Sequence, residues 1–159
     1  MRILADEIGN VLLQLRDYPS AVQKSAEVVI DLSPQGNWIR GFEMIGGMFD
    51  FSLRKAVEPF RAKQPELGEE SGGETFKVTY DPEADAAYFY LPYGSRFRAL
   101  SSSERDRTTK YSHSINPTAM CALDASGGLI SVLVPTADAV GPLETFLYLF
   151  DVERQPTTR

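Results

Sequence analysis

"VTYDPEADAAYFYLP", residues 78–92, places three alternating carboxylates between two aromatic-rich apolar stretches. Apolar residues recur at period 2 on both sides of the interruption, the pattern of two strands joined by a turn. Asp81, Glu83 and Asp85 occupy relative positions 1, 3 and 5, as at the start of a calcium loop. Such a loop also needs Gly at position 6 and Glu at position 12; Ala86 and Pro92 stand there. Turn chemistry accounts for the stretch without a metal. Asp81 folds its side chain onto the backbone two residues on, Pro82 presets φ, and Asp85 tolerates the exit geometry. The stretch is expected to be a hairpin corner.

The same hairpin is legible once more. Residues 1–16, "MRILADEIGNVLLQLR", align without gaps on residues 76–91, "FKVTYDPEADAAYFYL". Asp6 falls on Asp81, Asn10 on Asp85, and Val11, Leu13 and Leu15 on Ala86, Tyr88 and Tyr90. Downstream, "EVVIDLSPQGNWIRGFEMI" (27–45) resembles "MCALDASGGLISVLVP" (120–135), with Asp31 on Asp124. The offset grows from 75 to 93 residues, so 18 extra residues are expected within the polar stretch 94–113.

Each copy closes on a helix candidate. "FDFSLRKAVEPF" (49–60) carries Phe49, Leu53, Val57 and Phe60 on one stripe, with Asp50 or Ser52 as its cap. "GPLETFLYLFDVE" (141–153) has Pro142 at the first helical position and Leu143, Phe146, Leu147 and Phe150 three and four apart. Between the copies, "KQPELGEESGGET" (63–75) has four glutamates, three glycines and one leucine, and reads as a linker. The expected fold is α+β: two pseudo-repeats of a four-stranded antiparallel sheet followed by a helix, ββββα twice, packed as a pseudo-dimer. The boundaries are 1–62, linker 63–75, 76–153 with the inserted loop 94–113, and a tail 154–159.

"KVTYDPEADAAYFYL" resembles the opening of the family catalogued as domain of unknown function 2283: a strand, a Tyr-Asp-x-x-x-Asp turn and an aromatic strand. That family's second signature, an Asp-x-x-Gly turn before a strand ending Gly-aliphatic-Glu-aliphatic, is approached by Gly41-Phe42-Glu43-Met44. The second copy has the opening but Val132 and Val134 in place of the Gly and Glu. The first has the ending but "LADEIGN" for the opening. The resemblance implies a small antiparallel sheet backed by a helix, and no activity.

Composition bounds the rest. With 43% hydrophobic and 24% charged residues the 159-residue chain is of the globular class. One cysteine, Cys121, cannot form an internal disulfide, and Met1-Arg2-Ile3 begins no charged-then-apolar leader; both point to the cytoplasm. No apolar run approaches the roughly 18 residues of a membrane span. A net charge of −6 disfavours a nucleic-acid partner.

Among single residues, Glu43 alternates with Phe42 and Met44 on a strand. It is either a surface residue or a buried carboxylate with a raised pKa, suited to acid–base work. With Asp81 and Asp85 it is the candidate catalytic set of an enzyme reading in a groove between the copies. His113 is the only histidine, so no multi-histidine metal site forms within one chain. Cys121 reads as a buried small hydrophobe. Five basic residues, Arg96, Arg98, Arg105, Arg107 and Lys110, against Glu104 and Asp106 make the inserted loop net +3, a polyanion-binding alternative. The hairpin 78–92 is apolar at both parities, so both its faces are expected to be covered. The favoured expectation is a non-catalytic interaction or structural module that self-associates or binds a protein partner, with no cofactor and no metal.

Overall fold

The computed structural model describes residues 1–5, 10–32, 39–65, 75–92, 94, 99–104, 113–135 and 152–154. In chain order the strands are β1 (Arg2–Ala5), β2 (Val11–Gln14), β3 (Val22–Glu27), β4 (Val29–Leu32) and β5 (Ile39–Ile45). After the helix α1 (Leu53–Val57) come β6 (Lys77–Asp81), β7 (Ala86–Tyr90), β8 (His113–Ile115), β9 (Thr118–Leu123), β10 (Leu129–Val134) and β11 (Val152–Arg154). Six strands form one sheet in the order β11-β1-β2-β10-β9-β3; five form the other in the order β6-β7-β5-β4-β8. Every pairing between strands is antiparallel except β1 with β11. The described residues are therefore mostly antiparallel sheet with little helix, as the alternating apolar patterns lead one to expect.

A separate four-stranded sheet in each half is not what the pairings form. Among the described residues the first half supplies five strands and the second six, and each sheet takes strands from both halves. Exchanging β1–β5 with β6–β10 turns one strand order into the other, β11 aside. The registers obey the same exchange. Ile3 faces Leu13 as Val78 faces Phe89. Leu13 then faces Val132 as Phe89 faces Phe42, and Cys121 faces Lys24 as Ile30 faces Ile115. One residue is skipped between Leu129 and Ser131, and one between Ile39 and Gly41. Even the parallel edge recurs, since Glu153 pairs with Leu4 and Lys63, from the expected linker, bridges Thr79.

These registers correct the gapless matching of the hairpins. Leu13 corresponds to Phe89 and not to Tyr88, because the first connection, 6–10, holds one residue more than the second, 82–85. A slip of one residue exchanges the faces of a strand, so Tyr88 and Tyr90 point away from the core that Leu13 and Leu15 enter. Likewise Asp31 corresponds to Ala122, two residues before Asp124. The correspondence is 76 residues at Leu13 and Phe89 and 91 at Ile30 and Cys121, so the second half carries 15 extra residues between them, not 18.

One core joins the sheets: Val11, Leu13, Cys121 and Val132 from the larger, Ile30, Phe42, Met44, Val78 and Phe89 from the smaller. Phe42 and Phe89 stack at 4.5 Å between ring centroids. Of the two expected caps, Ser52 serves α1, its Oγ accepting from the Lys55 N–H at 3.3 Å. Asp50 instead pairs with Lys24 at 3.2 Å on the surface. Leu53, Ala56 and Val57 are buried, and Pro59 continues the helix as a 3-10 turn, Glu58–Phe60. The second expected helix lies outside the described residues up to position 151; its last two residues, Val152 and Glu153, belong to β11. No described helix is long and apolar enough to cross a membrane.

Candidate functional site

The opening carboxylates are held by the corner they make. Asp81 Oδ1 accepts from the Glu83 N–H at 3.0 Å and, more weakly, from the Ala84 N–H at 3.4 Å. Asp85 sits at φ 49°, the left-handed region that Asp and Asn tolerate better than most residues. Its Oδ1 accepts from the Tyr80 hydroxyl at 2.6 Å, which raises the phenol's pKa, and its carbonyl accepts from the Gly46 N–H at 2.7 Å. A Cβ on Gly46 would lie 1.7 Å from Asp85 Oδ2, so only glycine admits the carboxylate there.

Glu43 occupies a different place. Phe42 and Met44 enter the core, so Glu43 points from the outward face of the five-stranded sheet. Its row reads Thr79, Tyr88, Glu43, Val29; the adjacent row reads Lys77, Tyr90, Gly41, Asp31. This face is partly sheltered, with Asp31 only 8% and Thr79 only 3% exposed. Tyr88 donates its hydroxyl to Asp31 Oδ2 at 2.7 Å, and the Lys77 ammonium lies 4.7 Å from the Tyr90 ring centroid. Partial burial pushes the Glu43 carboxyl above its usual pKa, and the Asp31 charge pushes it further. Asp81 shares this face, but two strands and two residues separate it from Glu43, roughly 12 Å of sheet. The three candidates of the enzyme reading are therefore not brought together in a groove between the sheets.

A raised carboxyl pKa means that folding favours the protonated acid. Its stability contribution is complete below the ordinary glutamate pKa and is lost as pH rises through the folded value. Glu43→Gln is expected to stabilise the protein at pH 7 by about 0.5 kcal/mol, the scale of a cross-strand like-charge pair. The gain should vanish near pH 4. Urea midpoints at both pH values measure it, and equal shifts at the two would disprove the electrostatic cause.

The equivalent row on the six-stranded sheet is wholly apolar: Leu4, Leu12, Leu133 and Met120 stand side by side across β1, β2, β10 and β9. They face away from the core that Ile3, Leu13, Val132 and Cys121 enter. Leu133 is 38% and Met120 37% exposed, Leu12 is half-buried, and Leu4, at 6%, is buried. The sequence carries a signal for this row of the same kind as at residues 78–92. "VLLQL" and "LISVLV" are also apolar at both parities, and such a strand is covered on both faces or exposes an apolar one.

Other groups have settled roles. Arg16 donates from Nη2 to Asp124 Oδ2 at 2.5 Å and from Nε to the Leu129 carbonyl at 2.9 Å. Asp124 Oδ1 accepts from the Ser126 and Gly128 N–H groups, at 2.8 and 2.9 Å. The Arg16 bond first, then the backbone donors, hold the Asp124 carboxyl below its ordinary pKa. Cys121 is buried and desolvation pushes its thiol up to about 12, which removes nucleophilic character at neutral pH. His113 lies in β8 opposite Leu32. Arg54, Lys55, Arg61, Glu58 and Tyr80 line an open depression of about 530 Å³ beside α1. Arg96, Arg98, Arg105, Arg107 and Lys110 lie outside the described residues. Among the described residues no three His, Cys, Asp or Glu side chains are grouped to hold a metal.

No protein family, no curated protein and no solved structure matches the chain.

Proposed function

We propose that this protein is a non-catalytic interaction module, built from two divergent copies of one five-stranded unit, and that it self-associates through the outward face of its six-stranded sheet. The observation that carries the reading is the row Leu4, Leu12, Leu133, Met120. Four adjacent strands present large apolar side chains at one level, on the face opposite the core. Leu133 and Met120, paired across β10 and β9, are its exposed members, while Leu4 is buried; adjoining exposed apolar side chains of this kind suit protein contact. The corresponding row of the other sheet holds Thr79, Tyr88, Glu43 and Val29. The two outward faces have thus diverged, one towards polar groups and one towards an apolar surface. Support for the two-copy reading comes from the matching strand orders and registers. The likeness of residues 77–91 to the domain of unknown function 2283 family belongs to the same proposal.

The enzyme alternative draws on the raised pKa of Glu43 beside Asp31 and Tyr88. It finds less support, because Asp81 and Asp85 are engaged in the hairpin corner.

Sedimentation of the wild type against Leu133→Lys/Met120→Lys tests the favoured reading. The wild type is expected to reach a dimer mass with rising concentration, and the variant to remain a monomer with an unchanged far-UV spectrum. A wild type that stays monomeric throughout overturns it.

A further inference from the structure

The seam between the two halves of the chain has the form of a subunit interface. Of the nine strand pairings, five join the first half to the second: β1 with β11, β2 with β10, β3 with β9, β4 with β8 and β5 with β7. Within the halves only the hairpins β1–β2, β4–β5, β6–β7 and β9–β10 pair. Neither half therefore holds a continuous sheet of its own. Among the described residues the first has two hairpins and β3, the second two hairpins with β8 and β11, and these meet only through the other half.

The seam is also self-complementary. Leu13 of the first half faces Val132 of the second, while their counterparts Phe89 and Phe42 face each other with the halves reversed. Leu12 with Leu133 is matched by Tyr88 with Glu43, and Val11 with Val134 by Ala87 with Met44. A patch that meets its own counterpart under a two-fold exchange is the mark of an isologous dimer interface. The side chains at its centre are buried, as in an obligate interface that resembles a domain core cut in two. Polar bonds cross it in both directions. Arg16 of the first half reaches Asp124 of the second, and Tyr88 of the second reaches Asp31 of the first. The helix of the first half, α1, packs on β6, β7 and β10 of the second.

We infer that each half is a protomer-like unit whose binding partner is a second copy of that unit, so that the chain is a fused dimer held by its seam and not by its connection. This rests on the two-copy reading above. The sequence 66–74, rich in Glu and Gly, then serves only to keep the two units at high local concentration.

The test uses the full chain with a site-specific protease sequence inserted within residues 66–74. After complete cleavage the two fragments are expected to elute together at the volume of the uncut protein, with the same far-UV spectrum. Their thermal midpoint should fall and depend more steeply on protein concentration than that of the uncut protein, because unfolding now releases two separate fragments. Fragments that separate, or that precipitate on cleavage, overturn the inference. So does a midpoint that does not respond to dilution, which would mean that one fragment holds the fold alone. The outer-face reading is judged separately on uncut protein. Fragments that stay paired while the uncut chain sediments as a monomer leave the seam standing and remove only the self-association.

Discussion

Phe89→Ala is expected to cost about 3–5 kcal/mol of folding stability, the range for truncating a fully buried aromatic. Phe89 is wholly buried at the centre of β7, stacked on Phe42 with ring planes 6° apart, and met edge-on by Phe60 at 6.1 Å. Phe76 lies against it at 6.5 Å. Removing the ring leaves a cavity where strands of both halves and the end of the helical segment converge. The backbone of paired strands cannot close over it, so lost transfer energy and lost contacts add. A domain of this size has roughly 5–15 kcal/mol in all, so the variant should unfold at markedly lower urea. Phe89→Leu keeps most of the volume and should cost less than half as much. Urea unfolding followed by circular dichroism measures both; a loss under about 1 kcal/mol for Phe89→Ala would place the ring outside the core.

Gly41→Ala is the second large effect, expected at about 1–3 kcal/mol, the cost of forcing an extra carbon into a packed site. A Cβ at Gly41 would lie 2.6 Å from the Phe89 carbonyl oxygen and 2.7 Å from Tyr88 Cε1. The first is backbone of the paired strand and cannot yield without breaking the ladder. The second belongs to a ring tethered by its hydroxyl to Asp31 at 2.7 Å. Tyr88→Ala frees the side-chain half of the clash. In the double variant the two costs should therefore sum to less than additivity predicts, the sign of direct coupling. Full additivity would mean that Tyr88 does not press on Gly41. The same substitution at Ser131, the counterpart of Gly41 in the other sheet, should be mild, since that position already carries a Cβ.

Much of the architecture could be read from the chain. Turn chemistry is local: the Asp81 bond to the Glu83 N–H and the left-handed φ of Asp85 are those a tight corner requires. The cap by Ser52 is equally local, and so is the buried stripe of Leu53 and Val57. The candidate site was less legible. Glu43 was picked out by its place between Phe42 and Met44, but its neighbour Asp31 comes from another strand and Tyr88 from the other half. Their meeting depends on register across a seam that no local pattern encodes. The apolar outward row of Leu4, Leu12, Leu133 and Met120, exposed at Leu133 and Met120, is illegible for a related reason. Double-sided hydrophobicity says that a strand needs two covers, not which face lacks one.

The sequence by itself determined the two hairpins that flank 6–10 and 82–85, the strand pairs of 27–45 and 120–135 and the capped helix, because all of these rest on interactions within a few residues; β3, β8 and β11 carry no such local pattern. Only the tertiary structure decided that the halves trade strands. A strand's alternation marks which side chains enter a core but is blind to whose core it is. The choice between pairing β2 with its own half or with β10 is made by apolar faces closing over one another at long range. That choice turns two hairpin-bearing halves into two mixed sheets around one core.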